Sequence, residues 1–230
     1  MNTSTPRNEF IARLRRSLKV SGDDATRKSV VTARLAAHAP NLLPKRAQGD
    51  AAHRCKLFAE QATAVQASFD RVKTAAAIPA AITDYLRRHN LPQTLRHGAD
   101  PLLKKLPWKK GAPSLAVSQG RADPSDEVSL SHAFAGVAET GTLILCSGPD
   151  NPTTLNFLPE NHIVVLEAGD LVGTYEEVWT RLRARFGEGE MPRTVNMITG
   201  PSRTADIEQT IELGAHGPRR LHIVIVDKGQ

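Results

Sequence analysis

The chain has 230 residues and a net charge of +6, with 40% hydrophobic, 23% charged and only 4% aromatic residues. That is enough chain for a full core, mostly aliphatic, of a globular protein. No apolar run is long enough to cross a bilayer, and the two cysteines, Cys55 and Cys146, lack the C-x-x-C company of an iron–sulfur cluster or a four-cysteine zinc site.

The first residues combine Arg7, Arg13, Arg15 and Arg16 with Ser and Thr, a transit-peptide-like mixture that Glu9 interrupts. Phe10, Leu14 and Leu18 form a stripe at helical spacing, which favours a docking helix over residues 8–19. The absence of a secretory h-region agrees with a cytoplasmic protein. A polar connection containing Ala39-Pro40 and Leu43-Pro44 runs to Gly49, followed by a long helical pattern with Leu57, Ala62, Val65, Phe69 and Val72 on one face. Pro79 opens another helix carrying Ile82, Tyr85 and Leu86. From Leu91 the pattern shortens to strands at 115–117, 143–146, 163–166, 195–198 and 221–226. Their nearly continuous apolar runs predict strands covered on both faces. Between the third and fourth, Thr174 and Glu177 predict a capping box, opening a helix that buries Val178, Leu182 and Phe186. The expected fold is α/β: a mostly parallel sheet flanked by helices over residues 79–230, with a basic helical extension over 1–78.

Charge is divided unevenly. Residues 1–111 hold 21 Lys and Arg against 8 Asp and Glu, whereas residues 112–230 hold 9 against 16. A basic arm on an acidic body suits docking within the chain or a complex; nucleic-acid binding would want interleaved aromatics or a motif, and neither is present.

Two constellations carry candidate chemistry. Gly200-Pro201-Ser202-Arg203-Thr204 follows an apolar run and precedes a helical pattern at Ile207, Ile211 and Leu213, with Gly214-Ala215-His216-Gly217-Pro218 closing it. Strand, glycine-led loop and helix N-terminus make an anion site, with Arg203 suited to a carboxylate or phosphate; equally, Ser202 is a plain helix cap. In Glu139-Thr140-Gly141-Thr142, a carboxylate occupies a tight turn beside a buried strand. Glu139 is either a base or acyl nucleophile, or a structural acceptor fixing a turn in which Gly141 supplies an unusual φ. His162, at a strand start, and His216, in a glycine-rich corner, are acid–base candidates as well as ordinary backbone partners. Neither a metal site nor the familiar glycine-rich nucleotide loops are indicated, so no metal or cofactor is expected.

Taken together, Glu139-Thr140-Gly141-Thr142 before an apolar strand, Leu158-Pro159 followed by His162-Ile163, and G-P-S-R-T-A-D-I-E with its later H-G-P resemble the LUD-domain family, of the lactate-utilization protein C type. The resemblance covers residues 90–230 and implies a sheet like that of the NagB/RpiA/CoA-transferase group. It also implies a part in oxidising L-lactate to pyruvate beside iron–sulfur partner proteins, as the cluster-free member. Glu139, Thr140, Gly141, Ser202, Arg203, Thr204 and His216 are the positions that match the family's motif residues. With Thr142 and Gly200 of the same loops, the expected ligand-binding positions are Thr140, Gly141, Thr142, Gly200, Ser202, Arg203 and Thr204, and Glu139 and His216 are the candidate catalytic groups. The competing expectations are a stand-alone CoA-transferase-like or sugar-phosphate-isomerase-like enzyme using Glu139, and a non-catalytic assembly or regulatory module.

Overall fold

The apolar runs around residues 163 and 223 become two adjacent inner strands of the larger sheet. The computed structural model describes residues 5–204 and 212–227. In chain order its elements begin with α1 (Pro6–Ser17), α2 (Ala25–Ala37), α3 (Ala51–Ala64), β1 (Ser68–Val72), α4 (Ile78–Arg88) and β2 (Thr94–His97). The short helices α5 (Pro101–Lys105) and α6 (Trp108–Gly111) come next, then β3 (Ala116–Gln119), β4 (Val128–His132), β5 (Ala135–Val137) and β6 (Thr142–Cys146). The remainder comprises α7 (Thr154–Phe157), β7 (Asn161–Glu167), β8 (Leu171–Val172), α8 (Tyr175–Phe186), β9 (Val195–Ile198), β10 (Arg203–Thr204), β11 (Glu212–Leu213) and β12 (Arg220–Val226).

The chain divides into two units, Met1–Leu42 and Leu43–Gln230. The smaller contains α1 and α2, neither of which buries a residue. The stripe of Phe10, Leu14 and Leu18 is exposed. Helix α2 lies inside the stretch read as a connection; it starts where the Asp24 side chain accepts the Arg27 N–H at 3.0 Å, a plain N-cap. The larger unit takes in residues 43–78, which the sequence pattern assigns to the extension, because β1 lies there and pairs with β12.

Six strands in the order β1-β12-β7-β4-β2-β3 form the main sheet, and all five pairings are parallel. Strands β7 and β12 run in register over their whole length, from Asn161 opposite Arg220 to Glu167 opposite Val226. Alternate residues serve opposite faces. Val164, Leu166, Leu221, Ile223 and Ile225 join α3 residues Leu57, Phe58 and Ala62 in one core. Ile163, Val165, Val224 and Val226 join α4 residues Ile78, Ile82, Tyr85 and Leu86 in another. Each such aliphatic side chain contributes roughly 1.5–3 kcal/mol when fully buried, so this doubly covered pair is the main anchor of the sheet.

A second sheet, β8-β5-β6-β9, packs Leu143 and Leu145 onto the α3 side of the main sheet and covers its own far face with Val178 and Leu182 of α8. Two of the expected strands, at 143–146 and 195–198, belong here as β6 and β9, and they pair antiparallel. An apolar run reads the same in either sheet, which is why sequence merges them. Contrary to expectation, the edge strands β9 and β3 are not covered on both faces: Met197 and most of β3 are exposed. The pattern from Leu57 to Val72 is likewise not one helix: α3 stops at Ala64, Gln66 takes a positive φ of 68°, and Phe69 and Val72 lie on β1. Nor does a helix begin at Arg203, contrary to expectation: Arg203 and Thr204 form β10, paired antiparallel with Leu213 and Glu212 of β11. Ile207 and Ile211 lie outside the described residues. The Glu177 arm of the capping box opening α8 is formed: its carboxylate accepts the N–H groups of Gly173 at 2.9 Å and Thr174 at 3.3 Å.

His222, buried on β12, shares a hydrogen bond with Ser68 at 2.9 Å and stacks on Tyr85 with ring centroids 3.9 Å apart. Burial pushes its pKa down to about 4, despite the Asp70 carboxylate nearby. The unfolded chain would take up that proton near pH 6.5, so stability falls as the pH drops from there toward 4. The contribution is on the order of 3 kcal/mol at the acid end of that window. His222→Phe keeps a ring on Tyr85 and removes the proton site. Its thermal midpoint is expected to fall less than the parent's between about pH 7 and about pH 4.5; equal falls would show that His222 does not carry the acid sensitivity.

Candidate functional site

Strand β9 ends at Ile198, and Gly200 turns the chain sharply across the end of α3. Its φ is +74°, and a Cβ there would sit 2.4 Å from the Val65 carbonyl oxygen, so glycine is required for both conformation and space. The Arg203 guanidinium donates to the same Val65 carbonyl. Ser202 fastens the loop to the glycine-rich corner. Its N–H donates to Pro218 O at 2.9 Å, its carbonyl accepts from Gly214 at 3.0 Å, and its hydroxyl accepts the His216 N–H at 3.4 Å. Ser202 therefore closes a loop-to-loop contact rather than capping a helix, because β10 comes directly after it.

Gly200, Ser202, Arg203 and His216 meet at a cavity of about 260 Å³, whose lining includes His162 and Asn156. The cavity lies where β7 and β12 begin, since His162 and Leu221 both border it. A loop that follows a strand of a parallel sheet would lie at its carboxyl rim, where ligands of such sheets bind; here β9 belongs to the second sheet, paired antiparallel with β6, and delivers the loop to the opposite rim. His162 is fully buried, and burial pushes its pKa down to about 3, so it is neutral. The Ser131 hydroxyl donates to Asn156 Oδ1 at 3.2 Å and therefore accepts from His162 Nε2–H at 3.0 Å. That chain leaves His162 Nδ1 as a bare acceptor and Asn156 Nδ2 as a bare donor, both buried and without a partner. Exposed Arg203 adds a guanidinium at the edge. The residues bordering the cavity thus hold an unmet acceptor, an unmet amide donor and a cation, around a volume below the roughly 300–1,000 Å³ usual for drug-sized ligands.

The second constellation sits next to this one. Tyr175 Oη is 3.0 Å from Thr140 Oγ1 and 2.7 Å from Thr142 Oγ1, and Thr142 Oγ1 is 2.6 Å from Thr199 Oγ1. Thr199 borders the cavity, so Thr142 is one hydrogen bond away from it. Glu139 is buried and points elsewhere, its carboxylate accepting the Tyr175 N–H at 3.3 Å in the first turn of α8. A carboxylate there suits the helix dipole. Gly141 has a φ of +69°, and a Cβ on it would meet the Ala62 backbone nitrogen at 2.5 Å. Thr204 is buried within β10. Among the described residues, no three His, Cys, Asp or Glu side chains group closely enough to hold a metal ion, and no helix is long and apolar enough to cross a membrane.

The LUD domain matches residues 55–226. The chain belongs to the LUD-domain family. The matched region begins in α3, well before the residues that carry the sequence resemblance. An uncharacterized protein of Neisseria meningitidis is 39% identical over 101 residues, which is 44% of this chain and 42% of that protein. Lactate utilization protein C of Halalkalibacterium halodurans is 34% identical over 110 residues, 47% of each chain. That of Shouchella clausii is 32% identical over 101 residues, 44% of each. The alignments therefore span less than half the length of these relatives. A crystal structure of a DUF162 family protein from Deinococcus radiodurans superposes with a TM-score of 0.57 at 22% identity, covering 78% of this chain and 99% of that one, which establishes the shared fold.

Sequence singles out His162 but not its partners. Asn156 reaches the cavity from α7, and Ser131 on β4 links it to His162, through contacts with no sequence spacing to reveal them. A second cavity, at the carboxyl ends of β4 and β7, gathers residues that carry no motif.

Gly200→Ala adds a Cβ at positive φ against the Val65 carbonyl and is expected to destabilise the protein by about 2–4 kcal/mol. Gly217→Ala meets the Ser202 Cβ at 3.4 Å, an ordinary contact, and is expected to cost less than about 1 kcal/mol. Urea melts of both variants check the contrast; equal costs would mean that Val65 yields.

Proposed function

We propose that this chain takes part in the oxidation of L-lactate to pyruvate as the cluster-free member of a multi-protein iron–sulfur system, and that the Gly200-loop cavity holds a small carboxylate of that reaction. Membership of the LUD family and the lactate utilization names of its relatives support the pathway. The observation that carries the ligand is the pairing of unpartnered His162 Nδ1 and Asn156 Nδ2 beside Arg203.

A 2-hydroxy acid answers all three groups. Its hydroxyl proton is donated to His162 Nδ1, its hydroxyl oxygen accepts from Asn156 Nδ2, and its carboxylate takes N–H groups of Arg203. A 2-oxo acid has no proton for His162 and would set two acceptors against each other. Such mismatches in a buried polar site discriminate strongly. The cavity therefore favours the alcohol over the ketone. Iron–sulfur clusters, held by the partner proteins, would supply the electron acceptor; this chain's residues bind and orient the substrate.

Two measurements test this reading. Arg203→Ala should weaken L-lactate binding about 10- to 100-fold, the range for losing a charged hydrogen bond, and depress lactate-supported growth of a strain depending on the variant. Arg203→Lys should recover only part of it, lacking the planar fork. In titrations of the parent, L-lactate should bind more tightly than pyruvate. Undiminished growth with a folded Arg203→Ala protein, or equal affinity for the two acids, would refute the assignment.

A further inference from the structure

At the opposite rim of the sheet the chain reverses its direction of travel. From β2 it steps outward to β3, whereas from β4 it proceeds through β7 to β12 toward the other edge. In a parallel sheet that reversal opens a crevice beyond the carboxyl ends of the strands, where ligands of such folds bind. A cavity of about 540 Å³ lies there, bordered by Asp100 after β2, His132 at the end of β4, Glu167 at the end of β7, and Asn151, with Arg185 beside them. It shares no lining residue with the Gly200-loop cavity.

Asp100 uses both carboxylate oxygens. Oδ1 caps α5, accepting from Leu102 at 2.9 Å and Leu103 at 3.1 Å, while Oδ2 accepts from His132 Nδ1 at 3.1 Å and fixes the ring. His132 Nε2 is then directed to Glu167 Oε2, 3.9 Å away, too far for a hydrogen bond. It is buried and without a partner. Burial disfavours charge on both Asp100 and His132, yet their mutual bond prevails: the carboxyl is held below its ordinary range, and the imidazole, with Glu167 also near, above its own. Asn151 is only 7% exposed, and both ends of its amide lack a partner. A buried amide unmet at both ends is a standing penalty to the fold, tolerated where something else completes it.

These groups describe their ligand. A hydroxyl between His132 and Glu167 accepts from Nε2–H and donates to the carboxylate, bridging a gap neither can close alone. The Asn151 amide, with a donor and an acceptor, suits a second hydroxyl. Carboxylates at strand ends hold vicinal hydroxyls in this way in nucleotide-binding sheets. The wall carries four carboxylates (Asp100, Asp150, Glu167, Asp170) against Arg181 and Arg185 and the imidazole, so it gives an anion no advantage. Arg181 pairs with Asp170 at 3.1 Å, and Arg185 lies over the Phe134 and Phe186 rings.

We propose that this crevice is a second ligand site, independent of the Gly200-loop cavity, for an uncharged molecule with vicinal hydroxyls, one seated between His132 and Glu167 and the next on Asn151. Free sugars and the ribose of nucleosides share that chemistry. Saturation-transfer NMR on the full chain, with D-ribose and adenosine as separate probes, distinguishes the two sources: saturable binding of either supports the site, and the tighter probe names the class. Asn151→Leu removes both unmet amide ends at similar volume; it should lose at least about tenfold in affinity while melting no lower than the parent. His132→Gln should lose a similar factor, and L-lactate binding should be unchanged in both variants. No saturable binding of either probe up to about 10 mM would overturn the proposal. So would unaltered affinity in both variants, a lowered melting point in Asn151→Leu, or loss of L-lactate binding in both.

Discussion

The parallel pairing of β7 with β12 is the constraint on which the rest of the molecule depends. Seven residues of each strand are matched in register, and their side chains alternate between the two cores on the opposite faces of the sheet. A slip of one residue would turn every one of these side chains to the wrong core, so the register is strongly enforced. Strand β7 also carries polar residues at both ends, His162 at the start and Glu167 at the finish. At about 3.3 Å per residue these lie roughly 16 Å apart along one rigid strand. The two cavities inherit their separation from that strand, and neither can shift without disturbing both cores.

Helix α3 supplies the second constraint. Gly141 and Gly200, each at positive φ, belong to different motif loops, yet a Cβ on either would strike the last turns of this one helix, at Ala62 and at Val65. Both loops are seated on α3, which explains why Thr142 and Thr199 fall within hydrogen-bond distance. It also explains the fate of Glu139. Once Gly141 is pressed onto α3, the turn before it faces the N-terminus of α8, and the Glu139 carboxylate is occupied in joining that turn to the helix. The glycines are kept by close approach of backbone as much as by turn geometry.

Much of this was legible in the chain itself, and what was hidden has a common cause. The strands at 163–166 and 221–226, the helix from Pro79 and the capping box at Thr174 are local patterns, and local physics specifies them. Val65, Phe69 and Val72 imitate a helical face because a strand that comes soon after a helix can keep a spacing of four and three by coincidence; only the left-handed Gln66 marks the break. The division of strands between two sheets depends on which strands pair, which apolar runs do not encode. In the candidate site, Arg203, Ser202 and His216 were visible as one motif loop and its closing corner. Asn156, Asn151 and His132 were not, because none has a telling neighbour in sequence and the groups they meet lie on other elements.

Buried polar atoms without partners mark both cavities, though they occur elsewhere too, as at His222 and Asn196. Among the described residues ten side-chain atoms are in that condition, and five of them belong to four residues, His162, Asn156, His132 and Asn151, that border the two cavities. A core selected for stability alone would replace such groups with apolar ones, since each unmet amide or imidazole nitrogen carries a desolvation cost of about 1–3 kcal/mol. The two histidines are also set in opposite states by what surrounds them. His162 is hydrogen-bonded to a neutral group, Ser131, and through it to Asn156, and burial keeps it uncharged with a lone pair to offer. His132 stands between Asp100 and Glu167, which favour the imidazolium and a proton to offer. Ser131 and His132 are consecutive on β4, and the alternation of a strand sends them to opposite faces. One pair of adjacent residues thereby places an acceptor beside one cavity and a donor beside the other, so that the two cavities, built from the same strands, are bordered by opposite chemistry.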